Sequence, residues 1–214
     1  MSVVISGTDN FILNADALGT ATAGAFDYDG KVFYVTPQGT QRGVVPGAQF
    51  FRLDAALAGA NVNTAQSVLG VGVTLSSSTV YAFEAVYALS KSAGTTSHSV
   101  GLGFGGTATL NNIAYAGVSA NTNSAFTTDS TTAIGIYVQT ASNTTFSNGA
   151  STSANIFRTY TIKGTVSVNA GGTFTPQYTL SAAPGGAYTT ALGSYFMIYP
   201  IGASGANVNV GTWA

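Results

Sequence analysis

Two long stretches of this chain alternate in a way that only a β-strand can use. From Thr79 to Ser90, Tyr81, Phe83, Ala85, Tyr87 and Leu89 hold one set of positions, and Val80, Ala82, Glu84, Val86 and Ala88 hold the other. Successive side chains of a strand point to opposite faces, so each set lines one face. Both faces are largely apolar, which suits a central strand with one face in the core and one against a neighbour. From Ile156 to Val168 the same period places Ile156, Arg158, Tyr160, Ile162, Gly164, Val166 and Val168 on one face. The alternate positions, Phe157 to Ser167, carry mostly hydroxyls and should meet water.

Shorter stretches repeat the pattern. Ser97–Phe104 puts His98, Val100, Leu102 and Phe104 on one face. With the turn Lys91-Ser-Ala-Gly94 it reads as the second arm of a hairpin begun by Thr79–Ser90. Ala170-Gly171-Gly172 turns the chain after the second long strand, and Phe174–Leu180 runs back, with Pro176 marking an edge or bulge. Further strands are expected at Lys31–Thr36, Phe50–Leu53, Ser67–Leu75, Leu110–Ala116, Ala133–Thr140, Tyr195–Ile201 and Val208–Thr212. The single helical reading is Leu53–Ala60, one or two turns ended by Gly59. About nine or ten strands with turn signals between them predict an antiparallel sandwich or barrel. Met1–Phe26 lacks matched strands and contains the small-residue run Gly19–Gly24, so it reads as an extended arm before a body spanning residues 27–214.

Composition then narrows the function. Only 6% of the 214 residues are charged, the formal net charge is −1, and there is no cysteine and one histidine. An average soluble domain carries roughly a quarter charged residues. A Cys/His zinc site and a disulfide framework are excluded, and six positive residues spread along the chain argue against nucleic acid as a partner. No apolar run reaches the length of a membrane-spanning helix, and the start lacks the basic region of a signal peptide. Gly, Ala, Ser, Thr and Asn make up more than half of the chain. A neutral surface of hydroxyls and amides suits a protein packed against others better than a free monomer.

Motifs that could carry chemistry lack their context. Gly101, Gly103 and Gly106 match a dinucleotide fingerprint, but strand and turn residues follow where a helix is required. His98 would have to serve any Ser–His–Asp site. Ser97 and Ser99, its neighbours, point to the opposite face, and Glu84 or Asp129 would have to supply the carboxylate. Asp27-Tyr-Asp29-Gly30 begins like a calcium loop but runs into the apolar Val32-Phe-Tyr34, so it reads as a turn. Asn143-Thr-Thr145 is a formal glycosylation sequon within a polar loop. No catalytic residue, metal ligand or cofactor site is assigned.

The string YDGKVFYVTPQGTQRGVVPGAQFFRL, Tyr28 to Leu53, resembles a segment of structural proteins of tailed bacteriophages, notably marine and cyanobacterial ones. Leu69–Leu75 and ALSKSAGTTSHSVGLGFGGTATLNNIAY, Ala88 to Tyr115, are similar to the same set. The resemblance covers less than half of the chain. It implies an all-β virion component with a homotrimeric body, an antiparallel β-sandwich of jelly-roll type. Only a short arm precedes the matched segment, which favours a small protein attached directly to a shell or tail. Val3, Val4, Ile5, Phe11, Ile12 and Leu13 are the candidate anchoring residues.

The first functional reading is a capsid decoration (cement) protein that bridges capsomers and partners the major capsid protein on the capsid surface. The alternative is a tail-tip or short-fibre adhesin that contacts a host-surface glycan. Its candidate loops are Ser119–Thr132 and Thr140–Ala154, with Phe126, Asn143, Phe146 and Asn148 as contact residues. A glycan depolymerase is the third reading. It needs two of the seven carboxylates at catalytic spacing, and nothing in the sequence pairs them.

Overall fold

The computed structural model describes residues 13–122, 134–138, 150–205 and 207–213. Among them there is no helix, and every paired strand is antiparallel. The strands are β1 (Phe26–Tyr28), β2 (Phe33–Val35), β3 (Gly43–Val45), β4 (Gln49–Arg52), β5 (Leu57–Ala58), β6 (Gln66–Ser67), β7 (Val73–Leu75), β8 (Thr79–Lys91), β9 (Val100–Gly105), β10 (Thr109–Thr122), β11 (Ile134–Val138), β12 (Ile156–Ala170), β13 (Gly172–Leu180), β14 (Thr189–Thr190) and β15 (Tyr195–Ala203). Several of these have only two or three residues, which lifts the number above the nine or ten expected from pattern.

Three sheets result. β1, β2 and β3 form a small one. An eight-stranded sheet runs β11-β10-β12-β8, after which the far edge of β8 is shared end to end by β15 and β14. β4 extends it beyond β15, and β5 beyond β14. In the four-stranded sheet β13 pairs with β9 on one edge and with β6 and β7 on the other.

The buried faces of the two larger sheets meet. Phe83 of β8 lies edge-on to Phe104 of β9, with ring centroids 5.1 Å apart, and Phe104 stacks on Phe174 of β13 at 4.7 Å. Phe196 of β15 completes the group, 5.7 Å from Phe83. Gly164 on β12 sits beneath it. A Cβ there would lie 2.4 Å from the Ala114 carbonyl oxygen and 2.8 Å from Cζ of Phe83, so any larger residue would force its neighbours to shift. The expected face of β8 is buried at Tyr81, Phe83, Ala85, Tyr87 and Leu89, and the opposite face is half-buried.

Four expectations are corrected. Thr79–Ser90 and Ser97–Phe104 do not form a hairpin. Both edges of β8 are filled by β12 and by β15 with β14, so β9 crosses to the other sheet. The turn at Gly171–Gly172 likewise carries the chain from one sheet to the other, not back along the same one. Leu53–Ala60 is extended, not helical. The Leu53 N–H donates to the Ser194 carbonyl at 2.9 Å, the Gly59 N–H donates to Tyr188 at 2.8 Å, and β5 pairs with β14 between them. Val208–Thr212 forms no strand.

Other boundaries shift. Ser67–Leu75 is divided into β6 and β7 around Gly70, whose φ of +75° a strand does not accommodate. β10 continues to Thr122, so the first four residues of the Ser119–Thr132 loop belong to a strand. Pro176 lies inside the paired strand β13. Its carbonyl accepts from the Val68 N–H at 2.9 Å, so its missing donor faces the break between β7 and β6.

Candidate functional site

The pairing registers build the outer face of the eight-stranded sheet row by row. One row runs Arg52, Tyr195, Val86, Thr161, Val118, and the next runs Phe50, Met197, Glu84, Lys163, Ala116. Tyr199, Ala82, Thr165 and Ala114 form a third. Across these rows the charged groups are Arg52 at the edge and one pair, Lys163–Glu84, at 3.5 Å. The rest is aliphatic, aromatic or hydroxyl. Val118 is 50% exposed and Phe50 58% exposed, and Phe50 stacks on Tyr195 at 5.3 Å. Surface ion pairs of this kind contribute little to stability, so the face is in effect uncharged.

Its rim is unfinished. Among the described residues β4 pairs with β15 alone, and its other edge is open. An edge strand with exposed Phe50 and Phe51 is a template for another chain. Arg52, held by Asp54, is the one charge on it. Beneath β4 a groove of ≈ 290 Å³ opens toward β7, walled by Phe50, Phe51, Leu69, Val71, Val73 and Phe196. Among the described residues no titratable side chain lines it.

The residues singled out from sequence fall elsewhere. Val3, Val4, Ile5, Phe11 and Ile12 of the arm, and Phe126, Asn143, Phe146 and Asn148 of the loops, lie outside the described residues. So does Asp129. Leu13 is half-buried in an extended segment, which the Asp16 N–H ties to the Tyr28 carbonyl at 3.1 Å. A turn at Ala23–Gly24, closed by the Ala25 N–H donating to the Thr22 carbonyl at 3.0 Å, joins that segment to β1, whose first residue is Phe26.

Gly101 and Gly103 are strand residues of β9, and Gly106 leads into β10, not a helix. His98 is buried. Its Nδ1 lies 2.7 Å from the Thr96 carbonyl and must donate there, so Nε2 accepts from the Tyr188 hydroxyl at 2.7 Å. This uses both ring nitrogens of a neutral imidazole, and burial holds its pKa below the usual value. Asp29 closes a turn. One oxygen accepts from the Lys31 and Val32 N–H groups, the other from the Tyr34 hydroxyl at 3.0 Å, and Gly30 takes φ +90°. Burial and this carboxylate push the Tyr34 pKa up to about 12. Asp27 instead pairs with Arg42 at 3.1 Å. Among the described residues no three His, Cys, Asp or Glu groups converge as a metal site.

Compared with protein-family models, with curated proteins and with solved structures, the chain matches none of them. Pattern reading missed Phe50, Phe51 and Val118 as surface residues. Two adjacent phenylalanines in a strand must fall on opposite faces, and that was the available signal.

Proposed function

We propose that this chain is an assembly subunit, a structural protein whose outer sheet face and open β4 edge are covered by further copies of itself. More particularly, it is a bacteriophage virion protein, a homotrimeric capsid decoration protein that bridges capsomers of the major capsid protein. In this reading the two facing antiparallel sheets form a jelly-roll sandwich. Met1–Phe26 is the anchoring arm, with Val3, Val4, Ile5, Phe11, Ile12 and Leu13 seated on the shell, and no catalysis takes place.

The observation that carries the reading is the uncharged outer face with its apolar open edge. Contiguous apolar surface of this extent marks an interaction site, and the depletion of charge resembles the centre of a subunit interface. The likeness of Tyr28–Leu53 and Ala88–Tyr115 to phage virion proteins supports the particular form.

The test has two steps. Light scattering on the purified chain should give a trimer mass, and Val118→Lys combined with Phe50→Lys should yield folded monomer. A wild-type monomer at micromolar concentration defeats the assembly reading. Quantitative mass spectrometry of purified particles then counts copies against the major capsid protein. A number that covers the shell fits cementing. A handful per particle would move the protein to the tail, where binding of Phe126, Asn143, Phe146 and Asn148 variants to host-surface glycan is the assay.

A further inference from the structure

The six cations of the chain are not distributed evenly. Arg42 pairs with Asp27, Arg52 with Asp54, and Lys163 with Glu84, while Lys31 donates to the Ser77 carbonyl at the surface. The remaining two, Lys91 and Arg158, lie together inside one end of the core, 5% and 0% exposed. β8 and β12 bring them there: Lys91 opposes Ile156, and Arg158 opposes Leu89, the next inward position.

Lys91 is satisfied as a donor. Its ammonium meets the carbonyls of Gly94 and Ser153 at 2.7 Å, Ala93 at 3.1 Å and Ala154 at 3.4 Å. Arg158 is not. The Tyr160 hydroxyl lies within its reach, but among the described residues Nε, Nη1 and Nη2 meet no well-aligned acceptor. A guanidinium is always charged and carries five donors. Burying it beside an ammonium, with no counter-charge among the described residues, is strongly unfavourable. The five described carboxylates give it none: four are held by Arg42, by the Asp29 turn, by Arg52 and by Lys163, and Asp16 caps its own neighbour's N–H. His98 adds no negative charge, since it is neutral and turned to Tyr188 and Thr96.

We propose that Arg158 holds an oxyanion of the carboxylate or phosphate class inside the β8–β12 end of the core, in the field of Lys91. The planar fork of the guanidinium matches two oxygens of one such group, which a spherical halide does not. The depressed pKa values of Lys91 and His98, caused first by burial and then by neighbouring positive charge, fit a cluster that lacks a counter-ion. The oxyanion is a free anion taken up from solution.

Desalted wild-type protein is unfolded, and the released anions are measured by ion chromatography. In parallel, Tm is followed as phosphate or acetate replaces chloride at constant ionic strength. One anion per chain, with Tm rising as oxyanion is added, shows a free anion. Arg158→Leu should abolish both signals. The wild-type measurements stand alone should that variant fail to fold. Protein that releases no anion and whose Tm does not respond to added oxyanion overturns the proposal.

Discussion

The two ends of the core use the same strands for opposite physics. At one end Phe83, Phe104, Phe174 and Phe196 pack ring to ring over Gly164, with no polar atom to satisfy. At the other end the same β8 and β12 carry Tyr87, Lys91, Arg158 and Tyr160, joined by His98 and Tyr188. Both ends are equally hidden from water. The first is stabilised by shape and dispersion. The second must find a partner for every buried donor and charge, and it does so incompletely. Period-two alternation is continuous through both, so burial pattern and chemical character are independent variables along a strand.

The largest test of this contrast is Phe104→Ala. Removing the ring that touches Phe83, Phe174, Phe196 and Tyr115 should cost about 3–5 kcal/mol, read from the urea midpoint at unchanged m-value. A loss below about 1 kcal/mol would mean the phenylalanine end is not close-packed. Gly164→Ala comes next. Its new methyl meets the Ala114 carbonyl and Cβ of Tyr115, so a loss of about 1–3 kcal/mol is expected.

The polar end should respond to pH where the apolar end does not. The folded pKa of His98 lies below the unfolded value of 6.5. As pH falls below 6.5 the unfolded chain takes up a proton that the folded chain refuses, so stability drops until the folded pKa is reached. The slope is at most about 1.4 kcal/mol per pH unit. Tm between pH 7 and 5 should therefore fall less in His98→Gln than in wild type, and identical slopes would break the assignment. The smallest effect is Tyr87→Phe. The Tyr87 hydroxyl is buried without a hydrogen-bond partner, and burial alone drives its pKa well above the usual value. Its removal should leave stability within about 1 kcal/mol of wild type, on the stabilising side. A larger loss would show that the hydroxyl is partnered in solution.

Much of the fold was legible before the structure. Tyr81 to Leu89 and Ile156 to Val168 face inward in the register that alternation assigns, apart from the half-buried Gly164. The two-sided apolarity of β8 and β15 marked the sheet whose outer face is now the candidate site. What alternation could not give was partnership. The run from Val100 to Phe104 looks like a hairpin mate for β8, yet β13 takes it, because both edges of β8 are filled by strands from later in the chain. Leu53-Asp-Ala-Ala-Leu-Ala has helical composition, and Ser194 and Tyr188 override it by claiming its backbone. Propensity is worth tenths of a kcal/mol per residue and yields to such tertiary demands.

The sequence alone therefore determined an all-β chain with a nearly uncharged surface, since β-branched and aromatic alternation and 6% charge are local properties. Only the tertiary structure decided which strands are neighbours, and that Arg158 lies beside Lys91 with no partner carboxylate among the described residues. Both depend on residues far apart in the chain, whose mutual distance no local pattern encodes. Arg158 stands on the inward face of an otherwise apolar register, and that break in the pattern became meaningful once Lys91 was seen beside it.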